Sequence, residues 1–362
     1  MRAAREAADS RTSRRDEELR APVTRRLVGT DATMKNLARA AAVAGLALAI
    51  VLFARQDVAA IVALLVAAGP GLVLAALFHI APMLANARGW QRLLPKAPRP
   101  ELRVVAWATW VRESVNGLLP VARIGGELVA YRIVRSHLSS GSDAAASLVA
   151  DMALSVLSQA TFALLGIALL YAIGTTSALG MQLFIGVATM IVLGAGFVLA
   201  QRAGALGALV GMLNELLAGR FDRAHVQARG FDDALRAVYD RRRDVAACFS
   251  WQLAGWLLGA GELWIALRFL GEPRGILDAV ALEALIQAVS SVAFFVPAAL
   301  GVQEMAFIVI GAALGLDAAT ALALATARRL RDAIVFFPGL LAWHRAERRI
   351  RDVESAAASR QS

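Results

Sequence analysis

Two distant segments of the chain set a proline and a carboxylate inside otherwise apolar sequence. In the first, Pro120 is followed by Glu127 and then Asp151; in the second, Pro297 is followed by Glu304 and then Arg328. Each member of the second set lies 177 positions after its counterpart. Proline breaks a helix and frees backbone polar groups beside it. Ionisable side chains at membrane depth are costly and mark ion, proton or ligand paths. Glu127 and Glu304 are therefore read as groups that bind a lipid hydroxyl or ammonium or carry a coupling proton. The structural alternative is that each carboxylate caps the N-terminus of a half-helix.

Asp151 and Arg328 occupy equivalent positions and carry opposite charge. A pseudo-twofold axis is expected to bring them together as an intramembrane pair. Arg328, Arg329, Arg331 and Asp332 form a polar patch in the last span. The arginine fork suits a phosphate, whereas snorkelling toward the headgroups accounts equally well for Arg331. Gly125 and Gly126 allow close backbone approach. They sit in no nucleotide-binding glycine pattern, so any transport is expected to be passive or driven by an ion gradient.

Composition places these residues in a membrane. Hydrophobic residues make up 58% of the chain, charged residues 18%, and mean hydropathy is +0.59; soluble chains are more polar. The single cysteine, Cys248, permits no disulfide framework, and the four histidines lack ligand spacing. No metal, cofactor or catalytic group is expected, and the chain is read as no enzyme. The net charge of +10 lies in loops and tails beside apolar spans. Orientation bias and anionic lipid explain it better than nucleic acid.

The elements that must position these residues are helical. Residues 1–36 read as a disordered cytoplasmic tail, 37–343 as the membrane domain and 344–362 as a second cytoplasmic tail. Spans are expected at about 37–54, 71–87, 144–173, 180–201, 247–270 and 318–343. Residues 57–69, broken at Gly69, Pro70 and Gly71, are expected in the outer interface, and Trp90 at headgroup level. The stretch 104–137 is too short and too basic at its end to cross, so a re-entrant hairpin is expected, with a second broken unit at 276–315. Loop 202–247 is expected to form amphipathic surface helices, with Phe231, Leu235 and Val238 at helical spacing. The fold class is thus all-α and polytopic: about six full spans plus two broken or re-entrant units, in an inverted two-repeat core with repeat units at about 104–173 and 276–343. Both termini and the basic loops face the cytoplasm of a bacterial inner membrane.

With Asn116-Gly-Leu-Leu-Pro120-Val-Ala-Arg123-Ile-Gly125-Gly126-Glu127, Pro297-Ala-Ala-Leu-Gly301-Val-Gln-Glu304 and Ala327-Arg328-Arg329 in view, the chain resembles the flippase-like membrane region of lysylphosphatidylglycerol synthases from about residue 35 to 345. The resemblance implies that a phospholipid, hopanoid or polyisoprenoid-type lipid is moved across or out of the membrane, and its length and style look like a hopanoid-associated branch. Together with the repeat, it points to a substrate site built from Asn116, Pro120, Arg123, Gly125, Gly126, Glu127, Asp151, Pro297, Glu304, Arg328 and Arg329. Only 19 residues follow Trp343, so the soluble aminoacyl-transferase domain and its activity are expected to be absent. The copies differ chemically: Ala293 stands at the position of Asn116, and Val302 and Gln303 stand opposite Gly125 and Gly126. A second reading is a non-transporting membrane partner of a lipid-biosynthetic protein. A third, a membrane-embedded enzyme, needs a convergent acid–base or metal site that the sequence does not supply.

Overall fold

A computed structural model describes residues 58–97, 99–119, 125–172, 222–292 and 299–359, with scattered positions at 47–54 and 188–203. Pro120, Arg123 and Pro297 lie outside the described residues, as do most of the expected spans 37–54 and 180–201. Every regular element among the described residues is a helix.

The chain from Val58 to Leu93 is helical almost throughout: α1 (Val58–Phe78) and α2 (Ile80–Leu93) meet at His79. Gly69 has φ 32° and ψ −112°, and it kinks α1 ahead of Pro70, which cannot donate a helical hydrogen bond. Residues 58–69 thus continue the following helix through that kink. Trp90 is also placed differently from expectation. It is fully buried within α2, and its indole N–H donates to Ser147 Oγ at 3.3 Å. The partner hydroxyl on a neighbouring helix satisfies the indole, so it needs no headgroup water.

Next come α3 (Leu102–Leu118) and α4 (Gly125–Arg135), packed on each other as the arms of a hairpin. The 17 residues of α3 span about 25 Å at 1.5 Å per residue, less than a hydrocarbon core of about 30 Å. The long helix α5 (Gly141–Ala172) follows. Helix α6 (Asp222–Asp240) then lies on α5 and buries Leu235, Val238 and Tyr239 there, with Phe231 partly covered. Helix α7 (Arg242–Phe269) packs on α1, α2 and α5. At its start, Arg241 donates to the carbonyls of Leu93 and Leu94, closing the end of α2. The second broken unit is α8 (Ile276–Val292) and α9 (Val302–Ala313), followed by α10 (Ala318–Ser359).

The repeat seen in the polar residues is also a repeat of elements. Helices α4 and α9 begin at 125 and 302, and α5 and α10 at 141 and 318, the same offset of 177. Two further contacts obey it. α3 packs on α10, and α8, the counterpart of α3, packs on α5, the counterpart of α10. The Trp110 indole donates to the Val335 carbonyl at 2.8 Å in the first contact. In the second, Gln159 Nε2 donates to Ser291 Oγ at 2.6 Å and to the Gln287 carbonyl at 3.3 Å. Gln287 and Ser291 are the counterparts of Trp110 and Ser114. Each repeat is therefore covered by a helix of the other.

By length and composition, Val58–Leu93 and Gly141–Ala172 are the two described stretches apolar enough to cross a membrane. Helix α8 is only 17 residues long, and α7, α8 and α10 carry buried charged residues, Glu262, Glu283 and Arg328 among them. Large apolar side chains stay exposed on the outside of the bundle, such as Val66 in α1 and Phe337 and Leu341 in α10. A lipid environment covers such a surface without a protein partner.

Candidate functional site

The first repeat gathers its charge where α3, α4, α5 and α7 meet. Arg112 Nη1 on α3 donates to Asp151 Oδ2 on α5 at 2.9 Å and lies 3.7 Å from Glu127 Oε2 on α4. The Asp151 side chain is 1% exposed. Its other oxygen accepts from Gln252 Nε2 at 2.7 Å and faces the Cys248 thiol at 3.8 Å, both on α7. Arg112 also stacks over the Trp90 ring, 5.5 Å from its centre.

Asn116 ties the ends of the hairpin together. Its Oδ1 accepts the Gly126 N–H at 2.9 Å, and its Nδ2 donates to Glu127 Oε1 at 3.3 Å. A Cβ on Gly126 would run into the Arg112 carbonyl and the Asn116 side chain, so only glycine lets α4 start this close to α3. Glu127 sits in the first turn of α4, where a carboxylate suits the free N–H groups and the helix dipole. Its Oε2 is buried and makes no hydrogen bond among the described residues.

The second repeat inverts the charges of the helices that correspond to α3 and α5, while Glu304 keeps the sign of its counterpart Glu127. Its acid, Glu283, is on α8, the counterpart of the helix that carries Arg112. Its bases, Arg328 and Arg329, are on α10, the counterpart of the helix that carries Asp151. Arg328 pairs with Glu283 Oε2, while Gln287 Nε2 donates to Glu283 Oε1 at 2.7 Å. Arg329 places Nη2 2.9 Å and Nε 3.1 Å from Glu304 Oε1. The other oxygen of Glu304 accepts the Gly301 N–H at 2.7 Å. Gly301 has φ 75°, a region open mainly to glycine, and it opens α9. Glu304 thus caps its helix, as the structural reading expected, with both oxygens engaged, whereas Glu127 keeps one oxygen without a hydrogen bond among the described residues.

The expected Asp151–Arg328 pair is not formed. Asp151 is neutralised within its own repeat by Arg112, and Arg328 within its own by Glu283. The reason lies in residues that the offset does not mark. Arg112 and Glu283 each supply a nearer opposite charge, and a buried ion is satisfied by the closest well-oriented partner. Arg328 Nε and Nη1 remain buried without a hydrogen bond among the described residues. They border a cavity of about 10 Å³ between α1, α7 and α10, room for about one water.

A third cluster joins both repeats and was not marked by the repeat logic. His79 at the α1–α2 junction sets Nδ1 2.8 Å from Glu262 Oε2 on α7 and Nε2 3.8 Å from Glu113 Oε2 on α3. Arg331 on α10 has Nη1 3.3 Å from the same Glu262 oxygen and 3.0 Å from His79 Nε2, with Nε 2.9 Å from Asp332 Oδ1. Arg331 is therefore held inside the bundle and does not snorkel. The available signal was composition alone: Glu113, Glu262 and Glu283 are acids within apolar helices.

These arrangements can hold a polar headgroup or a proton in a low-dielectric interior. Among the described residues no group of histidine, cysteine and carboxylate ligands could hold a metal ion. A family model described as "Lysylphosphatidylglycerol synthase TM region" matches residues 38–339. No curated protein and no solved structure matches the chain. That match covers most of the 362 residues, and the all-helical, charge-bearing bundle agrees with a membrane protein of lipid-related function. The chain belongs to the family of the lysylphosphatidylglycerol synthase transmembrane region.

Proposed function

We propose that this protein is a lipid translocase, moving a phospholipid, hopanoid or polyisoprenoid-type lipid across or out of the bacterial inner membrane. It does so as a non-catalytic, flippase-like transporter with both termini in the cytoplasm. The observation that carries this reading is the placement of the ionic clusters. Each sits beside the break of one repeat and includes one member of each of the counterpart pairs Glu127/Glu304 and Asp151/Arg328, and each repeat is covered by a helix of the other. Such a core is built to rock between two arrangements around a polar path. In the first repeat, Asn116, Gly125, Gly126, Glu127 and Asp151 surround the open carboxylate oxygen of Glu127, which receives the polar part of the lipid. In the second, Arg328 has guanidinium N–H groups without a hydrogen bond among the described residues, and with Arg329 beside it the pair is suited to a phosphate.

Reconstitution into vesicles carrying a fluorescent phospholipid in both leaflets tests this, with an impermeant quencher added outside. The protein should speed the loss of the protected inner fraction. Glu127→Gln should slow that loss about tenfold, equivalent to about 1.4 kcal/mol on the barrier. Unchanged transport by both Glu127→Gln and Arg329→Gln would remove these residues from the path. Absence of transport, with loss of cellular function only when 202–247 is deleted, would favour the role of a partner to a lipid-biosynthetic enzyme.

A further inference from the structure

We propose that His79 is the coupling-ion site of this protein and that the ion is a proton. The coupling part of this inference rests on the transporter reading; the site itself does not.

His79 is where four parts of the bundle meet through charged groups. Its own helices, α1 and α2, bring no other charged residue between 58 and 87. Facing it are Glu113 from α3, Glu262 from α7 and Arg331 from α10, with Asp332 on the far side of Arg331. Phe336 of α10 closes the ring edge-on at 5.7 Å. Three carboxylates thus surround one guanidinium and one imidazole, and the excess of negative charge favours a cation. A metal cation would have to sit against the Arg331 guanidinium, which lies at hydrogen-bond distance from the ring. A proton needs no such room.

The geometry also shows what protonation changes. Arg331 Nη1 lies against both ring nitrogens, 2.5 Å from Nδ1 and 3.0 Å from Nε2; in the tautomer whose Nδ1–H donates to Glu262, Nε2 is the nitrogen left to accept from Arg331. A proton taken from water onto Nε2 removes that acceptor. Nε2–H then has Glu113, now 3.8 Å away, as its partner, and Arg331 keeps Glu262 and Asp332. Loading therefore moves one tie of His79 from α10 in the second repeat to α3 in the first. Release of the same proton restores it. α3 and α10 are the helices through which the repeats touch, so proton occupancy biases their packing.

Histidine ¹⁵N NMR of the protein in lipid nanodiscs reads the site directly. With four histidines in the chain, the His79 signal is identified by removing His137, His225 and His344 one at a time, which leaves the cluster intact. The ring is expected to change its protonation state as pH is varied. Glu113→Gln should lower its midpoint by removing a carboxylate that favours the charged ring. A ring that holds one protonation state throughout would overturn the proposal. In vesicles, an imposed pH difference should shift lipid distribution by up to about tenfold per pH unit for one proton per lipid. His79→Gln should abolish that response; a response retained in full would also overturn the proposal. A titrating ring in a protein that moves no lipid would establish the proton site and defeat the transporter reading instead.

Discussion

At the scale of residues, Asp151 and Arg328 each find an opposite charge within their own repeat, and this choice of partner is testable. Asp151 and Arg112 are almost wholly enclosed, so removing either should strand a buried charge. Asp151→Asn and Arg112→Gln are each expected to cost about 3–5 kcal/mol. The double variant should recover part of this, with a coupling energy of about 0.5–3 kcal/mol. Asp151→Asn combined with Arg328→Gln should be additive within about 0.5 kcal/mol, because the two groups answer to different partners. Unfolding titrations in mild detergent measure all of these, and strong coupling between positions 151 and 328 would contradict the pairing described here.

At the scale of elements, the geometry depends on how each half-helix begins. Gly126 allows α4 to start against α3, so Gly126→Ala should destabilise the protein by about 1–3 kcal/mol through overpacking and weaken the Asn116–Glu127 contact with it. At the start of α10, Asp317 caps the helix. Its carboxylate accepts from the Ala319 and Thr320 N–H groups at 2.8 and 3.0 Å and from the Thr320 hydroxyl at 2.7 Å. Partial burial works to raise its pKa, but these hydrogen bonds outweigh it and hold the group below the usual aspartate value. A lowered folded-state pKa means that the cap contributes fully above about pH 4, the unfolded value, and is lost as pH falls through the folded value. Asp317→Ala should cost about 0.5–2 kcal/mol at neutral pH. Unfolding midpoints recorded down to pH 3 should show the difference from the parent protein shrinking; a constant gap would rule out an ionised cap.

At the scale of the whole molecule, the exchanged contacts α3–α10 and α5–α8 make the two repeats one unit. The orientation proposed for that unit follows from the basic loops, and cysteine labelling tests it. In a Cys248→Ser background, Arg103→Cys, whose native side chain is 81% exposed, should react with an impermeant thiol reagent only after the cells are permeabilised. Glu272→Cys, in the turn between α7 and α8, should react in intact cells. The reverse pattern would invert the protein in the membrane.

The 177-residue offset, visible in Pro120, Glu127 and Asp151 against Pro297, Glu304 and Arg328, already implied helices that start in matching places, because breakers and caps act on their immediate neighbours. The helical starts at 125, 141, 302 and 318 and the buried stripe Leu235 and Val238 follow from such local signals. The resemblance to the membrane region of lysylphosphatidylglycerol synthases was legible for the same reason, since it is carried by short contiguous motifs. Which charge neutralises which was not. Asp151 meets Arg112 across 39 positions, Arg328 meets Glu283 across 45, and His79 meets Arg331 across 252. Those distances are set by helix packing, and charge is satisfied by whatever the packing brings nearest. Trp90 shows the same limit: its sequence neighbours Arg88 and Gly89 read as a membrane edge, yet Ser147 of α5 supplies its hydrogen bond inside the bundle. Local chemistry determined where the helices break and which residues are costly to bury. Only the tertiary structure decided which of them face one another, because a buried ion selects its partner by proximity in space and not in sequence.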